Sequence, residues 1–505
     1  MFPRFQTLLL LLSISLVSQA QSREFSLLVF NVENLFDIDG EALFDDYRMA
    51  KEPGKVPYSA DLLLKKLQFT AETVASIDGG EGPDIILFQE FERDRTPDRS
   101  LGTTEAFLAK YADQTVEEML TEPIEPEIAD LPSFAFLLKT LADRGLVYPF
   151  LATPPLEITE ETKPHINAVF SRFPITGVRS FPTPDAREIL AVRMDVEGHP
   201  FTVINNHWKS GASRPETEPS RIENARTTRR ILNDLLRADP NADVVIGGDL
   251  NSYYNQSLAF PEMGRTGIND VLGSQGDEAA VAAGRKDLYN LWFELPISER
   301  YTETWRDMKG TLMHIILTPG LYDAEGIQYI DNSFERVVID GLNVDEWGRP
   351  ARFSFADGGR GGSDHLPLLA RFKTVNDRRA EPLIPENPGT NESQPSRIML
   401  VDYDLRNGGP DPMDPRILEG LDESALEAYR GRFFRVEGVW SSWNPPSIQA
   451  AGHEWEVYSS RDTVWARTDH YELGDSVQFY AELGKWDGNF QWVIRDPSWL
   501  EVTAK

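Results

Sequence analysis

The stretch VVIGGDLNS, residues 244–252, decides the fold class of this chain. Its first three residues are apolar and β-branched, which is typical of a buried strand. Gly247 and Gly248 follow, and residues without a side chain let the backbone pass close to whatever lies beside it. Asp249 and Asn251 then stand where the strand ends. Because sites in α/β proteins are commonly built at strand ends, the stretch predicts a buried strand with a polar site at its mouth.

Four other stretches repeat this design of an apolar strand followed by polar residues. They are FSLLVFNVENLFD (25–37), PDIILFQEFE (83–92), PFTVINNHWKS (200–210) and GGRGGSDHLPLLARF (358–372). Apolar residues at helical spacing predict helices over residues 61–77 and 221–237. Residues 96–155 form a long insertion whose order the pattern does not define. The alternation of strands and helices predicts a layered α/β domain.

The composition changes along the 505 residues, which are too many for one ordinary core. Residues 1–20 combine a basic start, an apolar run and the small residues SQA, the pattern of a cleaved export signal. Residues 21–375 are expected to form the catalytic domain, and residues 376–395 a linker rich in Pro, Asn and Glu. Residues 396–505 are expected to form a small all-β barrel of the oligonucleotide-binding (OB) type. Its many tryptophans favour a packed core, and stacking on bases is the alternative.

The net charge of −31 and the absence of cysteine narrow the classes of function. An acidic chain repels polyanions at long range, so a phosphate-containing substrate would need a metal ion or a local basic patch. A chain without cysteine has no disulfide-linked partner and no thiol for a lipid anchor. The apolar run near the start is also shorter than a membrane span requires. We therefore expect a secreted or periplasmic protein without a stable membrane anchor.

The candidate site residues form five short polar groups, and each group has a structural explanation when taken alone. A polar pair can end an exposed strand, a single histidine is more often structural, and Asp-x-Asn and Ser-Asp-His can form turns. The groups are Asn31 with Glu33, Gln89 with Glu90, His207, Asp249 with Asn251, and Ser363 with Asp364 and His365. Each group lies beside an apolar strand, which favours one shared site over five independent accidents.

This ordered set resembles the endonuclease/exonuclease/phosphatase superfamily, the metal-dependent phosphodiesterase fold of DNase I-like nucleases. The resemblance runs from about residue 25 to residue 372. FNVENLFD together with NHWKS is most similar to a bacterial exported nuclease-like branch of the family. The resemblance implies an α/β fold, a two-sheet DNase I-like sandwich flanked by helices, with the active site at one rim.

The resemblance also implies a cofactor and a role for each candidate residue. The cofactor is expected to be Mg²⁺, or else Mn²⁺ or Ca²⁺, since hard cations prefer oxygen ligands. The implied metal ligands are Glu90, Glu33, Asn31 and Asp364. The implied catalytic residues are His207, Asp249, Asn251, Asp364 and His365. The residues expected to bind substrate are Asn31, Lys209 and Arg226. In this interpretation Gly247 and Gly248 make room for a phosphate. Asp249 orients or deprotonates the attacking water, and Asn251 donates hydrogen bonds to the phosphoryl oxygens.

One position departs from the family pattern. An Asp is expected on the strand before the last motif, and the stretch TLMHIILTPGLYD has Met313 there. Methionine cannot stabilise an imidazolium, so we expect a lower pKa for His365 unless another acid, such as Asp307, replaces the missing carboxylate. Met313→Asp is then expected to raise the rate of hydrolysis.

The main functional hypothesis is a nuclease acting on extracellular nucleic acid. Residues 207–230 hold six basic against three acidic residues, and they could form either a track for phosphates or a solvated helix face. A phospholipid or sugar-phosphate phosphatase remains an alternative, and an apolar hairpin within residues 96–155 would favour a lipid substrate. A binding protein that has lost catalysis, with the barrel as its working module, is another alternative, motivated by Met313.

Overall fold

The computed structural model describes the greater part of the chain. The described residues are 22–40, 42, 44, 58–94, 101–155, 163–296, 299–305, 308–345, 348–355, 358–375, 381–386, 412–459, 462–486, 488–495 and 497–500. The predicted export signal, most of the predicted linker and Asp307 lie outside these residues.

Ten α-helices lie in the described ranges. They are α1 (Ala60–Ala75), α2 (Thr104–Lys110), α3 (Val116–Met119), α4 (Pro126–Ala129), α5 (Ser133–Asp143), α6 (Glu218–Ala238), α7 (Gln256–Ala259), α8 (Glu278–Ala282), α9 (Glu423–Glu427) and α10 (Asp462–Thr468). Helix α1 begins at the N-cap Ser59, whose side chain accepts a hydrogen bond from the Leu62 backbone. The helices predicted over residues 61–77 and 221–237 are confirmed as α1 and α6.

Twenty strands lie in the same ranges. They are β1 (Glu24–Leu35), β2 (Ile85–Glu92), β3 (Phe150–Ala152), β4 (His165–Ser171), β5 (Ile175–Phe181), β6 (Ile189–Val196), β7 (His199–His207), β8 (Val244–Asp249), β9 (Tyr289–Asn290), β10 (Glu303–Trp305), β11 (Met308–Gly310), β12 (Met313–Leu317), β13 (Gly326–Tyr329), β14 (Glu335–Arg336), β15 (Leu368–Val375), β16 (Phe433–Trp443), β17 (Pro446–Ala450), β18 (His453–Tyr458), β19 (Ser476–Trp486) and β20 (Asn489–Val493).

The strands before residue 376 form two large sheets. The first has the order β13-β15-β1-β2-β4-β3, with β14 paired to β15, and the second has the order β5-β6-β7-β8-β12-β9. One apolar cluster, which includes Leu27, Val245 and Ile315, fills the space between the sheets. Other clusters pack α1 and α5 on the first sheet and α6 on the second. The predicted two-sheet sandwich flanked by helices is confirmed.

The pairing directions bring the polar strand ends to one rim. β1 and β2 are parallel, with Asn31 opposite Gln89, and β7 and β8 are parallel, with His207 opposite Asp249. β15 runs antiparallel to β1, so the residues that precede β15 lie at the same rim. Parallel strands end at the same edge of a sheet, so the polar groups that the sequence places at strand ends lie together at one rim.

The two glycines of β8 have a different role from the one expected. A Cβ on Gly248 would lie 2.1 Å from the backbone oxygen of Asn206, and the φ of Gly248 is +120°. A Cβ on Gly247 would lie 2.8 Å from Leu87 Cδ1 on the facing sheet. These positions therefore permit close strand and sheet packing, and the expectation that they make room for a phosphate is wrong.

The insertion predicted at residues 96–155 contains ordered elements. Its described part, residues 101–155, forms α2 to α5 and β3. Helix α5 packs Phe134, Leu138 and Leu141 into the core beneath the first sheet. No apolar hairpin is present in residues 101–155, and among the described residues no helix has both the length and the apolarity of a membrane span.

The C-terminal strands form a closed barrel in the order β16-β17-β18-β20-β19. Helix α10 lies between β18 and β19 in the sequence. Trp440, Trp492 and Trp499 are at most 1% exposed and pack in its core, whereas Trp486 is 51% exposed. A small all-β unit is therefore confirmed, and core packing explains most of its tryptophans.

Part of the predicted linker packs against the catalytic unit. Within the described residues 381–386, the Leu383 backbone donates to the Tyr322 carbonyl at 2.7 Å. The Leu383 side chain contacts the cluster between the two sheets. At least this segment of the predicted linker belongs to the sandwich.

Candidate active site

Asn31 joins the two main carboxylates of the site. Its side-chain amide nitrogen Nδ2 donates to Glu90 Oε1 and to Asp249 Oδ2, each at 3.1 Å. Glu90 lies on β2 of the first sheet and Asp249 ends β8 of the second, so one amide bridges the sheets. Asn31 is fully buried and Asp249 is 2% exposed. Side chains that lie 59 and 218 positions from Asn31 in the sequence thus meet it in one pocket.

Two histidines complete this pocket. His207 Nε2 lies 3.6 Å from both Glu90 Oε1 and Asp249 Oδ2. His365 Nε2 lies 3.7 Å from Asp249 Oδ2 and 3.7 Å from Asp364 Oδ1. The Asp364 side chain is 37% exposed, so it lies at the opening of the pocket. The structure therefore brings together six predicted residues: Asn31, Glu90, His207, Asp249, Asp364 and His365.

The backbone of the site is held in a sparsely populated conformation. Glu33, Asn34, Glu90 and Asn251 all have positive φ, between 46° and 69°. For residues other than glycine this backbone conformation costs free energy, and it persists only where the surrounding structure holds it in place. Such strained residues are common at functional sites. At the end of β8 the fixing bond is the Asn251 backbone donating to Asp249 Oδ1 at 2.9 Å, an Asx turn.

A chain of hydrogen bonds that the sequence did not reveal orients Glu90. Arg187 donates to His165 Nδ1 at 2.9 Å, and His165 Nε2 lies 2.6 Å from Asn34 Oδ1. Since a guanidinium can only donate, Nδ1 accepts and Nε2–H donates to Asn34. The Asn34 backbone then donates to Glu90 Oε2 at 2.9 Å. His165 is thus neutral, and burial lowers its pKa to about 3.

The position of these two residues on the sheets was the signal that could have found them. His165 begins β4, which is antiparallel to β2, and Arg187 precedes β6, which is antiparallel to β7. The starts of antiparallel neighbours lie at the rim where the catalytic strands end. The sequence analysis considered only residues at strand ends and therefore missed them.

The surroundings of the two carboxylates shift their pKa values in opposite directions. Burial works against ionisation of Glu90, but His165, His207 and Arg187 beside it lower its pKa below the usual range. Burial raises the pKa of Asp249 to about 6, although His365 and the Asn251 backbone partly oppose the rise. Glu90 is therefore a permanent anion, and Asp249 can hold or release a proton near neutral pH.

His365 is charged despite the missing family aspartate. Burial alone would lower its pKa, but Asp364, Asp249, Glu303 and Glu90 raise it to about 9. Of the two alternatives, the structure therefore favours other acids in place of the missing aspartate over a lower pKa of His365. Met313 is fully buried in the core between the sheets. Glu303, at the start of β10, is the acid that sequence reasoning missed, and burial raises its own pKa to about 7.

Other predicted residues are held by contacts within the protein. Glu33 accepts from Arg352 Nε at 2.5 Å and from the Phe353 backbone at 3.0 Å, so both of its carboxylate oxygens are engaged. The Asn251 side chain donates to the Trp208 carbonyl at 3.2 Å. The side-chain oxygen Oδ1 of Asn31 accepts from the Glu33 backbone at 2.9 Å. Their roles toward metal or substrate remain predictions.

The basic segment after His207 is mostly structural. Arg221 is fully buried and donates to Glu218 and to backbone carbonyls. Arg226 is half exposed on α6 and pairs with Glu223. The Lys209 backbone donates to Asn224 at 3.0 Å. A phosphate track that includes Arg221 is therefore excluded, and substrate binding by Lys209 and Arg226 stays a prediction.

The donor set of the pocket fits a divalent cation. One ligand atom each from Glu90, His207 and Asp249 lies within 4.8 Å of the other two, a spacing that a single ion can bridge. Carboxylate oxygens suit Mg²⁺ and Mn²⁺, and an imidazole nitrogen suits Mn²⁺. His207 Nε2 is the ring nitrogen that faces both carboxylates, at 3.6 Å from each. We therefore take Glu90 and His207 as the residues that would hold the ion, with Asp249 beside them.

Comparison with known proteins gives a family match over part of the chain. Residues 175–374 match the model of the Endonuclease/Exonuclease/phosphatase family. No curated protein matches the chain in sequence.

Several solved structures are similar to this chain. Truncated TDP2 from Caenorhabditis elegans shares 14% identity with a TM-score of 0.35, over 69% of this chain and 97% of that chain. Sphingomyelinase C from Streptomyces griseocarneus shares 14% identity with a TM-score of 0.36, over 69% of this chain and 99% of that chain. An endonuclease/exonuclease/phosphatase family protein from Bacteroides thetaiotaomicron shares 12% identity with a TM-score of 0.36, over 70% and 99%.

The family match contains His207, Asp249 and His365, and the two-sheet sandwich supplies Asn31 and Glu90 from outside the matched range. These residues form one pocket with the donor set of a divalent cation. Residues 175–374, which supply His207, Asp249 and His365 to this pocket, thus match the endonuclease/exonuclease/phosphatase family.

Proposed function

We propose that this protein is an exported, divalent-metal-dependent phosphodiesterase that hydrolyses nucleic acid. The observation that carries the proposal is the bridge from the Asn31 amide to Glu90 and Asp249, each at 3.1 Å. It fixes two carboxylates from different sheets beside two histidines, an arrangement suited to in-line attack of water on phosphorus. Export rests on the sequence pattern of residues 1–20 alone.

The chemistry follows from the protonation states of the residues in the pocket. Asp249 is ionised above about pH 6 and can accept the proton of an attacking water. His365 is protonated below about pH 9 and can stabilise the phosphoryl oxygens or give its proton to the leaving oxygen. A bound divalent cation would add positive charge beside the phosphoryl group. Glu90, which stays ionised, would hold that ion together with His207, and Asp249 beside them would act as the base.

A large polar cleft beside the pocket supports a polymeric anion as the substrate. The cleft has a volume of about 1440 Å³, and Glu303 and Asp364 line the side that meets the pocket. Arg349, Arg352 and Arg360 line it as well. Arginine binds phosphate through several donors at once; Arg349 pairs with Asp345 and Arg352 with Glu33, so Arg360 is the lining arginine that best suits a phosphate of the substrate. The helices in residues 101–155 give no comparable support to a lipid substrate.

The test uses the purified full-length chain with several phosphodiesters. Supercoiled plasmid, single-stranded RNA, bis-p-nitrophenyl phosphate and sphingomyelin vesicles are incubated with Mg²⁺, Mn²⁺, Ca²⁺ or a chelator. We expect metal-dependent cleavage of a nucleic acid, and a loss of about 10² to 10⁴-fold in Asp249→Ala and His365→Ala. Asp234→Ala and His470→Ala, which change exposed residues, serve as matched controls.

Three outcomes would contradict the proposal. Turnover of vesicles without cleavage of nucleic acid would indicate a phospholipid phosphodiesterase. Tight binding of nucleic acid without turnover under any metal would indicate a binding protein that has lost catalysis. Cleavage that survives the chelator would remove the proposed role of the metal.

A further inference from the structure

A second acidic cluster lies outside the candidate active site. Glu278 begins α8, Glu294 ends the 3₁₀ helix Leu291–Glu294, and Asp331 follows β13. One ligand atom from each carboxylate lies within 4.8 Å of the other two. Three carboxylates at this spacing repel one another unless a cation or shared protons lie among them.

Each carboxylate has one oxygen that the protein holds. Tyr322 donates to Glu278 Oε1 at 2.9 Å, and Tyr329 donates to Glu294 Oε2 at 2.8 Å. The Glu386 backbone donates to Asp331 Oδ2 at 2.8 Å. The three side chains are therefore oriented by neighbours on separate segments of the chain.

The other oxygen of each carboxylate is buried and has no hydrogen-bond partner among the described residues. These atoms are Glu278 Oε2, Glu294 Oε1 and Asp331 Oδ1. Glu278 is 0% exposed, so water does not compensate its charge from outside. Burial raises the pKa of Glu278 to about 7, and the Tyr289 hydroxyl beside it, also 0% exposed, partly opposes the rise. Buried carboxylate oxygens without partners are costly and rare, so three at one place indicate a ligand.

A basic side chain does not supply the missing charge within the described part of the chain. No ion pair of the three acids with a lysine or arginine occurs there. Arg300 instead donates to the Tyr254 hydroxyl and to the backbone carbonyls of Leu295 and Phe293. The compensating charge would come from a small cation that enters through the partly exposed side of Glu294 and Asp331, or else from protons shared among the three acids.

We propose that Glu278, Glu294 and Asp331, with the Tyr289 hydroxyl, form a second cation site that binds Ca²⁺. All donors are hard oxygens, which excludes a preference for zinc or copper. Mg²⁺ keeps several of its waters, whereas Ca²⁺ accepts several carboxylates in flexible geometry, which suits buried donors from separate segments.

The ion would connect the two sheets of the sandwich. Tyr289 lies on β9 of the second sheet, and Asp331 follows β13 of the first. Because the three acids approach one another only in the folded chain, Ca²⁺ would stabilise the folded state and not the unfolded one. This role does not depend on the proposed hydrolysis.

The experiment uses the full-length chain with the active-site metal position disabled by Glu90→Gln and Asp249→Asn. Tb³⁺ replaces Ca²⁺ as a luminescent probe, since Trp292, Tyr289 and Tyr322 can transfer excitation to it. We expect sensitised Tb³⁺ emission that Ca²⁺ removes by competition. We also expect Ca²⁺ to raise the Tm by roughly 2 to 4 °C.

Variants of the second site separate it from the surface acids. Adding Glu294→Gln or Asp331→Asn should weaken Tb³⁺ binding at least about 10-fold and remove the rise in Tm. Glu325→Gln, which changes an exposed acid, is the matched control and should behave like the parent. Asp331→Asn keeps an acceptor for the Glu386 backbone, so it tests the site if Glu294→Gln does not fold.

Two results would overturn the proposal. Absence of both Tb³⁺ emission and a Ca²⁺-dependent Tm would mean that protons neutralise the cluster. Emission that persists unchanged in both Glu294→Gln and Asp331→Asn would place the ion elsewhere. Neither result bears on the hydrolase proposal, because the parent chain in this experiment already lacks its active-site carboxylates.

Discussion

Met313 on β12 lies directly opposite Asp249 on β8, so a buried apolar residue borders the carboxylate at the centre of the candidate site. The family pattern has an acid at this position. Here the negative charge around His365 comes from Asp364, Asp249, Glu303 and Glu90. The charged state of the histidine is preserved although one member of the family pattern is absent.

Glu303→Gln is expected to lower the pKa of His365 from about 9, because one of the carboxylates that favour the imidazolium is removed. The activity should then decline at a lower pH on the basic side. The protonated His365 stabilises the fold fully below about pH 6.5, and this contribution is lost as pH rises through about 9. NMR titration of the imidazole in metal-free protein measures the shift. Glu299→Gln is the control, and an unchanged titration in Glu303→Gln would remove Glu303 from the site.

Met313→Asp is expected to destabilise the protein by about 3 to 5 kcal/mol, because it buries an unpaired charge in the core beside Asp249. The structure thus reverses the sequence-based expectation, and hydrolysis should fall. Met313→Leu conserves volume and should cost less than about 1.5 kcal/mol. Denaturant unfolding and turnover are measured together. Higher turnover at unchanged stability would show that the missing aspartate limits this enzyme.

Arg187→Met is expected to weaken binding of the active-site metal about 10 to 100-fold, because Arg187 holds His165 and lowers the pKa of Glu90. The metal concentration for half-maximal activity and calorimetric titration measure the effect. Arg193→Met on β6 is a matched control at an exposed position. Equal metal dependence in the two variants would contradict the proposed hydrogen-bond chain.

Gly248→Ala is expected to cost at least about 3 kcal/mol of stability, because its Cβ would lie 2.1 Å from the Asn206 backbone oxygen. Gly273→Ala separates this clash from the cost of a positive φ. Gly273 has φ +87° with nothing within 4 Å of the new Cβ, so that variant should cost only about 1 to 2 kcal/mol. Thermal unfolding measures both, and equal losses would show that the close approach does not matter.

Arg360→Glu is expected to weaken binding of nucleic acid and to reduce its salt dependence by about one unit of slope, since Arg360 lines the cleft beside Asp364. Arg226→Glu should have a smaller effect, because Arg226 pairs with Glu223 on α6. Binding is measured with inactive Asp249→Ala over a range of salt concentrations. A larger effect of Arg226→Glu would favour the basic segment after His207 as the binding surface.

Local patterns in the sequence determined the elements and most of the site. The apolar run of β8 and the helical spacing of α1 and α6 are properties of short segments, and each formed as predicted. Asn31, Glu90, His207 and Asp249 each lie at or near the end of an apolar strand, and their order together with the family resemblance implied one shared site before the strand pairing was known. The tryptophan-rich C-terminal strands likewise indicated a small all-β unit.

Only the tertiary structure decided which groups complete the site and what the glycines do. His165, Arg187 and Glu303 influence the charge and orientation of the site residues from segments whose neighbours in the fold the sequence does not specify. The same holds for Glu278, Glu294 and Asp331, which come together from three segments. Short-range patterns fix which residues lie on a strand, but the pKa of a buried group depends on charges brought near it by sheet pairing and burial. That dependence is the physical reason why the charge state of His365 could not be predicted from the residue at position 313.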